Sequence, residues 1–265
     1  DLEVIVRAAH ARHPELGRPA IFSISFGSWP ALEVAARCPE HVDGVITFGG
    51  YASFESVVRF CLDGVMHLDG RAVPMAFDPL NMPALFLNVM RFMDIDDDPE
   101  PLAEALREMC YRTWGRMELK AEGRLVPFID AIAETLPASQ RALFREGAGG
   151  GDAARVHVEN ALARAQDALT FLDPTNAIAS LRCPVVVCHG RDDDVIPWGE
   201  AVMLHRAVSA HVPSRLYLTG LYAHTGQGTP APGDILREAA NLLGLTRVMA
   251  NGGRLRDALG HRTNL

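Results

Sequence analysis

Four short strand-like stretches set the terms for what this chain can fold into. Ala20-Ile21-Phe22-Ser23-Ile24-Ser25 lies between Pro19 and Gly27, 42–48 ends at Gly49-Gly50, 184–189 ends at Gly190, and 214–219 is followed by Gly220. Runs of this length, closed off by glycine and proline, read as buried strands. The first passes at once into helical spacing. Ser28 reads there as the N-cap, Pro30 falls near the first turn, and Ala31, Leu32, Ala35 and Ala36 form the inner face. Residues 2–13 also have helical spacing, and a helix at 198–210 follows the third run. Strands alternating with helices predict an α/β class fold: a parallel sheet with helices on both faces.

The alternation is interrupted. From Tyr51 to about Ser180 strand-like runs disappear and helical patterns dominate, as at 99–114 and 127–136, while Gly147-Ala148-Gly149-Gly150-Gly151 reads as a flexible break. The expected organisation is a core in two parts, 1–50 and 181–245, with a helical segment at 51–180 and a mobile tail at 246–265. Ile235, Leu236, Ala239, Leu242 and Leu243 have the spacing of a last helix packed on the core.

Composition narrows the function. With 265 residues, 48% of them hydrophobic, the chain has the makeup of a globular protein. A net charge of −8 argues against a nucleic-acid partner, since phosphate binding needs a basic surface. No apolar stretch is long enough for a membrane span, so no membrane partner is expected. Five scattered cysteines do not form a disulfide framework and read as reduced, packed thiols, which points to a cytoplasmic location. Cys183 and Cys188, at odd spacing near one strand, should face opposite sides.

Three segments carry the chemistry. Ser23-Ile24-Ser25-Phe26-Gly27 places a serine between a buried strand and a helix, where a tight turn projects the hydroxyl from the sheet edge above the helix N-terminus. Small residues at 23 and 27 suit such a turn, and the Phe26 N–H would point toward a developing oxyanion. The plainer reading is a serine that only caps the helix. His224 lies in Gly220-Leu221-Tyr222-Ala223-His224-Thr225-Gly226, after the last strand, and reads equally as a base or as a surface histidine. His189-Gly190-Arg191-Asp192-Asp193-Asp194-Val195-Ile196-Pro197 offers three carboxylates. His189 beside them suggests a metal, but it ends a buried strand and no metal-binding spacing is present, so a structural role is expected. The glycine cluster at 147–151 is not a dinucleotide loop, because no strand precedes it.

Together, Ser23 to Gly27, the stretch 35–46 and the H-G-x-x-D-x-x-V-P-like loop at 189–197 resemble the α/β-hydrolases. The resemblance implies an α/β-hydrolase fold, partial, with an inserted helical cap over 51–180. Its register selects Asp193 as the acid, with Asp192 and Asp194 solvated or capping the helix near Trp198. It also implies Ser25 as nucleophile, His224 as base and Phe26 as an oxyanion donor. The implied reaction is hydrolysis of an ester or related acyl bond of a small, apolar substrate through an acyl-enzyme, with no cofactor and no metal. Acyltransferase, thioesterase and carbon–carbon bond hydrolase activities use the same groups, and a non-catalytic binding protein is the rival outside enzymes. Two departures stand out. Ser23 replaces the usual glycine, and the strands that normally precede the elbow are missing, with the loop that supplies the second oxyanion donor. The strand at 20–25 should therefore form a sheet edge. Truncation is the expected explanation; cover by another chain, as in a homodimer, is the alternative.

Overall fold

The computed structural model describes residues 1–95, 97–220, 222–223, 226–227, 238–240, 243–244 and 246, with backbone alone at 166–167, 222–223 and 226–227. Two compact units emerge. One comprises Asp1–Phe54 with Phe171–Leu265, the other Glu55–Thr170.

The first unit is built on β1 (Ala20–Ile24), β2 (Gly44–Phe48), β5 (Val185–Gly190) and β6 (Ser214–Thr219). These pair in the order β1-β2-β5-β6, all parallel. The register aligns Ile24 with Phe48, Phe48 with Cys188 and Cys188 with Tyr217, so the four strands end along one edge. One face of the sheet is thickly covered. Ile21, Val45, Val185 and Val187 pack there with Leu32 and Ala35 of α2 (Ser28–Arg37), Val6 of α1 (Leu2–Arg12), and Ala201, Leu204 and Val208 of α9 (Trp198–Ser209). Ile46, Val186, Cys188 and Tyr217 form a smaller cluster on the other face. Cys183 joins the first cluster and Cys188 the second, on opposite sides as the spacing predicts.

Strand β1 is the sheet edge, also as expected: among the described residues only β2 pairs with it. Its side chains alternate in exposure, Ile21 and Ser23 buried, Phe22 49% and Ile24 60% exposed. The last helical residues differ from the prediction. Ala239 and Leu243 point outward, whereas Glu238 is buried and the backbone at Gly244 lies against the Tyr217 ring. Residues 235, 236, 242 and 247–265 lie outside the described residues.

The second unit contains α3 (Phe54–Asp63, all but its first residue), β3 (Val65–Leu68), β4 (Arg71–Pro74), α4 (Met82–Val89), α5 (Glu100–Thr113), α6 (Val126–Ala133), α7 (Ala138–Gly149) and α8 (Asp152–Ala165). Its largest fully buried side chains include Phe60, Phe86, Leu102, Leu106, Met109 and Phe144. Two expectations are corrected here. The antiparallel hairpin β3–β4 occupies a stretch where helical patterns were expected to dominate and no strand was expected. It turns on Asp69 (φ 53) and Gly70 (φ 73), the left-handed pair that a two-residue hairpin needs. The glycine cluster is also not one flexible break. Gly147 and Gly149 lie within α7, which stops at Gly150 (φ 75), and only Gly150 and Gly151 separate it from α8.

Gly147 is there for packing. A Cβ at this position would lie 2.5 Å from the ring of the fully buried Phe86. Alanine is the better helix former by about 1 kcal/mol. The clash should nevertheless win, and Gly147→Ala is expected to destabilise the protein by about 1–3 kcal/mol. Thermal unfolding of the variant checks this; a higher melting temperature would contradict it.

All five cysteines are free thiols, and Cys38, Cys61, Cys183 and Cys188 are buried. Burial pushes the Cys188 thiol from its ordinary value of 9.0 up to about 12, and the half-buried Cys110 up to about 11. Below pH 9 both the folded and the unfolded chain keep these protons, and stability does not depend on them. Above it the unfolded chain releases them first, so their contribution drives stability down as pH rises from 9 toward 12. Denaturant midpoints at pH 8 and 10, in the protein and in Cys188→Ala, should show a smaller fall in the variant.

Candidate active site

Strand β1 delivers Ser25 to the edge where all four strands end. Ile24 is still extended (φ −124, ψ 138), and Ser25 then turns to φ 56. Among the described residues only one other non-glycine, Asp69 of the hairpin turn, has positive φ. An L-residue held there costs roughly 1–2 kcal/mol. Such a turn throws the serine side chain out between strand and helix. The chain continues as a single 3-10 turn, Ser25–Gly27, straight into α2.

This continuity corrects the predicted cap. Ser28 is already the first residue of α2; its side chain is fully buried, and among the described residues its Oγ has no hydrogen-bond partner. Ser23 answers the spacing requirement in its own way. It is buried, and its Oγ donates to the Ile46 carbonyl at 3.3 Å. A Cβ at Gly27 would meet the Ser23 Cβ at 3.7 Å, ordinary contact, so the turn tolerates small residues at both positions.

Phe26 follows Ser25 directly; it is 42% exposed, with its ring 5.1 Å from Tyr51 and 6.1 Å from Phe54, centroid to centroid. The segment that supports this ring is firmly held. Tyr51 is buried and its hydroxyl donates to the Leu172 carbonyl at 2.7 Å. Burial, then the nearby Asp173 and Glu200 carboxylates, raises the Tyr51 phenol well above its ordinary value and keeps it a donor. Glu200, buried in the first turn of α9, accepts from the Ala52 and Ser53 N–H groups at 2.9 Å each. Asp173 accepts from the Phe54 N–H at 2.6 Å. Sequence reading assigned 51–54 and 171–180 to the helical insertion and missed these anchors. Acids that serve the N–H groups of a distant backbone segment have no spacing pattern to reveal them.

Strand β5 runs into the loop of three aspartates. Asp193 is buried (3%), Asp192 is exposed and Asp194 intermediate. The Asp193 Oδ1 accepts from the Val195 and Ile196 N–H groups at 2.9 and 2.8 Å, folding the loop over its own carboxylate. The Oδ2 lies 3.4 Å from His189 Nε2. That nitrogen's close partner is the Ile196 carbonyl at 2.7 Å, so Nε2 carries the proton. His189 is fully buried and staples the loop shut, the structural role predicted for it; among the described residues no group of three His, Cys, Asp or Glu could hold a metal. Of the two readings offered for Asp192 and Asp194, solvated or capping, the exposure of Asp192 fits the first. Pro197 occupies the N-cap position of α9, with no side-chain cap bond.

Ser25 and Asp193 therefore leave the same edge of one sheet, from β1 and β5, with β2 between. Two inter-strand spacings amount to about 9–10 Å. A proton relay between the two would need a third group in that gap. His224, the base expected from sequence, lies outside the described residues. Its flanks, β7 (Tyr222–Ala223) and β8 (Gly226–Gln227), pair antiparallel.

No family model and no curated protein matches the chain. Among solved structures it is similar to Rv0554 from Mycobacterium tuberculosis, at 15% identity over 88% of this chain and 65% of that one, with a TM-score of 0.37. MGS-M2, an α/β hydrolase enzyme from a Medee basin deep-sea metagenome library, matches at 12% identity over 98% and 72%, with a TM-score of 0.40. The esterase EaEST from Exiguobacterium antarcticum matches at 16% over 92% and 72%, with a TM-score of 0.36. The chain spans 65% of the length of the first of these. Among the described residues no helix is long and apolar enough to cross a membrane. The parallel β1-β2-β5-β6 order with helices packed against it is an α/β fold, and its strained serine stands where β1 meets α2, the place a nucleophile elbow would occupy.

Proposed function

We propose that this chain is a serine hydrolase that cleaves an ester or related acyl bond of a small, apolar substrate. Ser25 attacks the carbonyl, His224 takes its proton and returns it to the leaving group, and Asp193 orients and stabilises the imidazolium. The Phe26 N–H contributes to holding the oxyanion, and water then releases the acyl group from Ser25.

The observation that carries this reading is the φ of 56 at Ser25. A serine that merely capped α2 would need no strain, and α2 begins beyond it. The buried Asp193, whose loop leaves the same sheet edge, supports the acid role. The exposed Phe26 ring with Tyr51 and Phe54 behind it supports an apolar substrate.

Turnover of p-nitrophenyl esters from acetate to decanoate tests the proposal. The expected result is saturable hydrolysis with an acyl adduct on Ser25, seen by mass spectrometry after acid quenching. Acyl transfer to an added alcohol or thiol in preference to water would reassign the activity to an acyltransferase. A second reading, a binding protein without turnover, draws on the position of β1, which among the described residues is an edge strand with no neighbouring strand on its outer side whose loop could add a second oxyanion donor. Binding of an ester without any adduct would favour it.

A further inference from the structure

Glu238 is 3% exposed, and among the described residues no arginine, lysine or histidine pairs with it. Carrying a carboxyl group out of water is costly unless hydrogen bonds replace its hydration. Here both oxygens are used. Oε2 accepts from the Thr219 hydroxyl at 2.7 Å, and Oε1 accepts from the Gly220 N–H at 2.9 Å. These donors are the last residue of β6 and the first residue beyond it, four positions before His224. The Thr219 carbonyl in turn accepts from the Arg191 N–H at 2.7 Å, two residues before Asp193. One buried carboxylate thus sits on the short path joining the start of the acid loop to the start of the base loop.

A second contact shows that the same segment is pressed onto β6. At Gly244 an added Cβ would lie 2.7 Å from the Tyr217 ring. The backbone six residues after Glu238 is therefore seated on the strand that Glu238 grips.

We infer that Glu238 is a positioning residue: it fixes where the base loop leaves β6 relative to the acid loop. This rests on the hydrolase reading above. Positioning is worth much in such a site, because a misplacement of about 1 Å can cost about a hundredfold in rate. Glutamine at 238 keeps the shape but turns a donor toward Thr219 or Gly220, whereas aspartate keeps the charge with shorter reach.

The test is the rate constant for phosphonylation of Ser25 by a fluorophosphonate, measured from pH 5 to 9 on the full chain and on Glu238→Gln, Glu238→Asp and Thr219→Val. Near-UV circular dichroism serves as the measure of folding. Glu238→Gln should lower the plateau rate by about ten- to a hundredfold with the spectrum retained. Glu238→Asp should recover part of the rate, and adding Thr219→Val to Glu238→Gln should cost little more. A Glu238→Gln protein labelled at the native rate overturns the inference, and so does a slower rate that only follows loss of the native spectrum. If the unsubstituted chain is not labelled at all, the hydrolase reading falls and this inference with it.

Discussion

Ser25→Ala is expected to lower ester turnover by about a thousandfold or more while leaving stability nearly unchanged. Alanine meets the same backbone cost at φ 56 as serine does, and it removes only the hydroxyl. Ser25→Gly should be equally inactive yet more stable, by up to about 1 kcal/mol, because glycine enters the left-handed region without strain. Its greater freedom in the unfolded chain offsets part of the gain. The pair of variants separates two reasons for a strained serine. A turn kept for folding would lose stability with glycine; a turn kept for catalysis gains stability and loses activity. Ester hydrolysis and denaturant midpoints, measured on both proteins, decide between them.

Asp193→Asn is expected to reduce kcat by about a hundred- to ten-thousandfold with a modest change in KM. Asparagine can still accept from the Val195 and Ile196 N–H groups through its remaining oxygen. The loop therefore keeps its main fold. The negative charge is lost, and an amide N–H₂ now faces the protonated Nε2 of His189, 3.4 Å away in the parent. Asp193→Ala removes the acceptor as well and leaves two buried N–H groups without a partner. It should cost an additional 1–3 kcal/mol or so of stability. Asp192→Asn, at an exposed position, should leave kcat within about twofold. A large effect at Asp192 and none at Asp193 would move the acid.

Much of the first unit could be read before any coordinates. The central strands β2 and β5 are buried along almost their whole length, as a parallel strand covered on both faces should be, whereas the edge strands β1 and β6 alternate in exposure. The four stretches marked the strands to within one or two residues at their ends. The turn at Ser25 was legible because a strand and a helix abut there with no room for a loop. Asp193 could be chosen from three adjacent aspartates only through the resemblance of the whole loop. Its burial and its two N–H bonds are tertiary facts.

The misses share a cause. Ser28 has the chemistry of a cap, but the 3-10 turn at Ser25–Gly27 moved the helix start past the position where capping happens. Asp69-Gly70 is a hairpin signal, overlooked because the strands on either side are only four residues each. Gly147 looked like a break, yet its lack of a side chain makes room for Phe86. Glu200 and Glu238 resemble surface acids in the sequence. Only the folded chain brings backbone N–H groups to them.

The most direct test of the account is site mapping after brief exposure of the native chain to a fluorophosphonate. The account predicts a single phosphonyl group, on the peptide containing Ser25, formed in the folded protein and not after denaturation. Native protein that stays unmodified, or carries the group on a different serine, would contradict it.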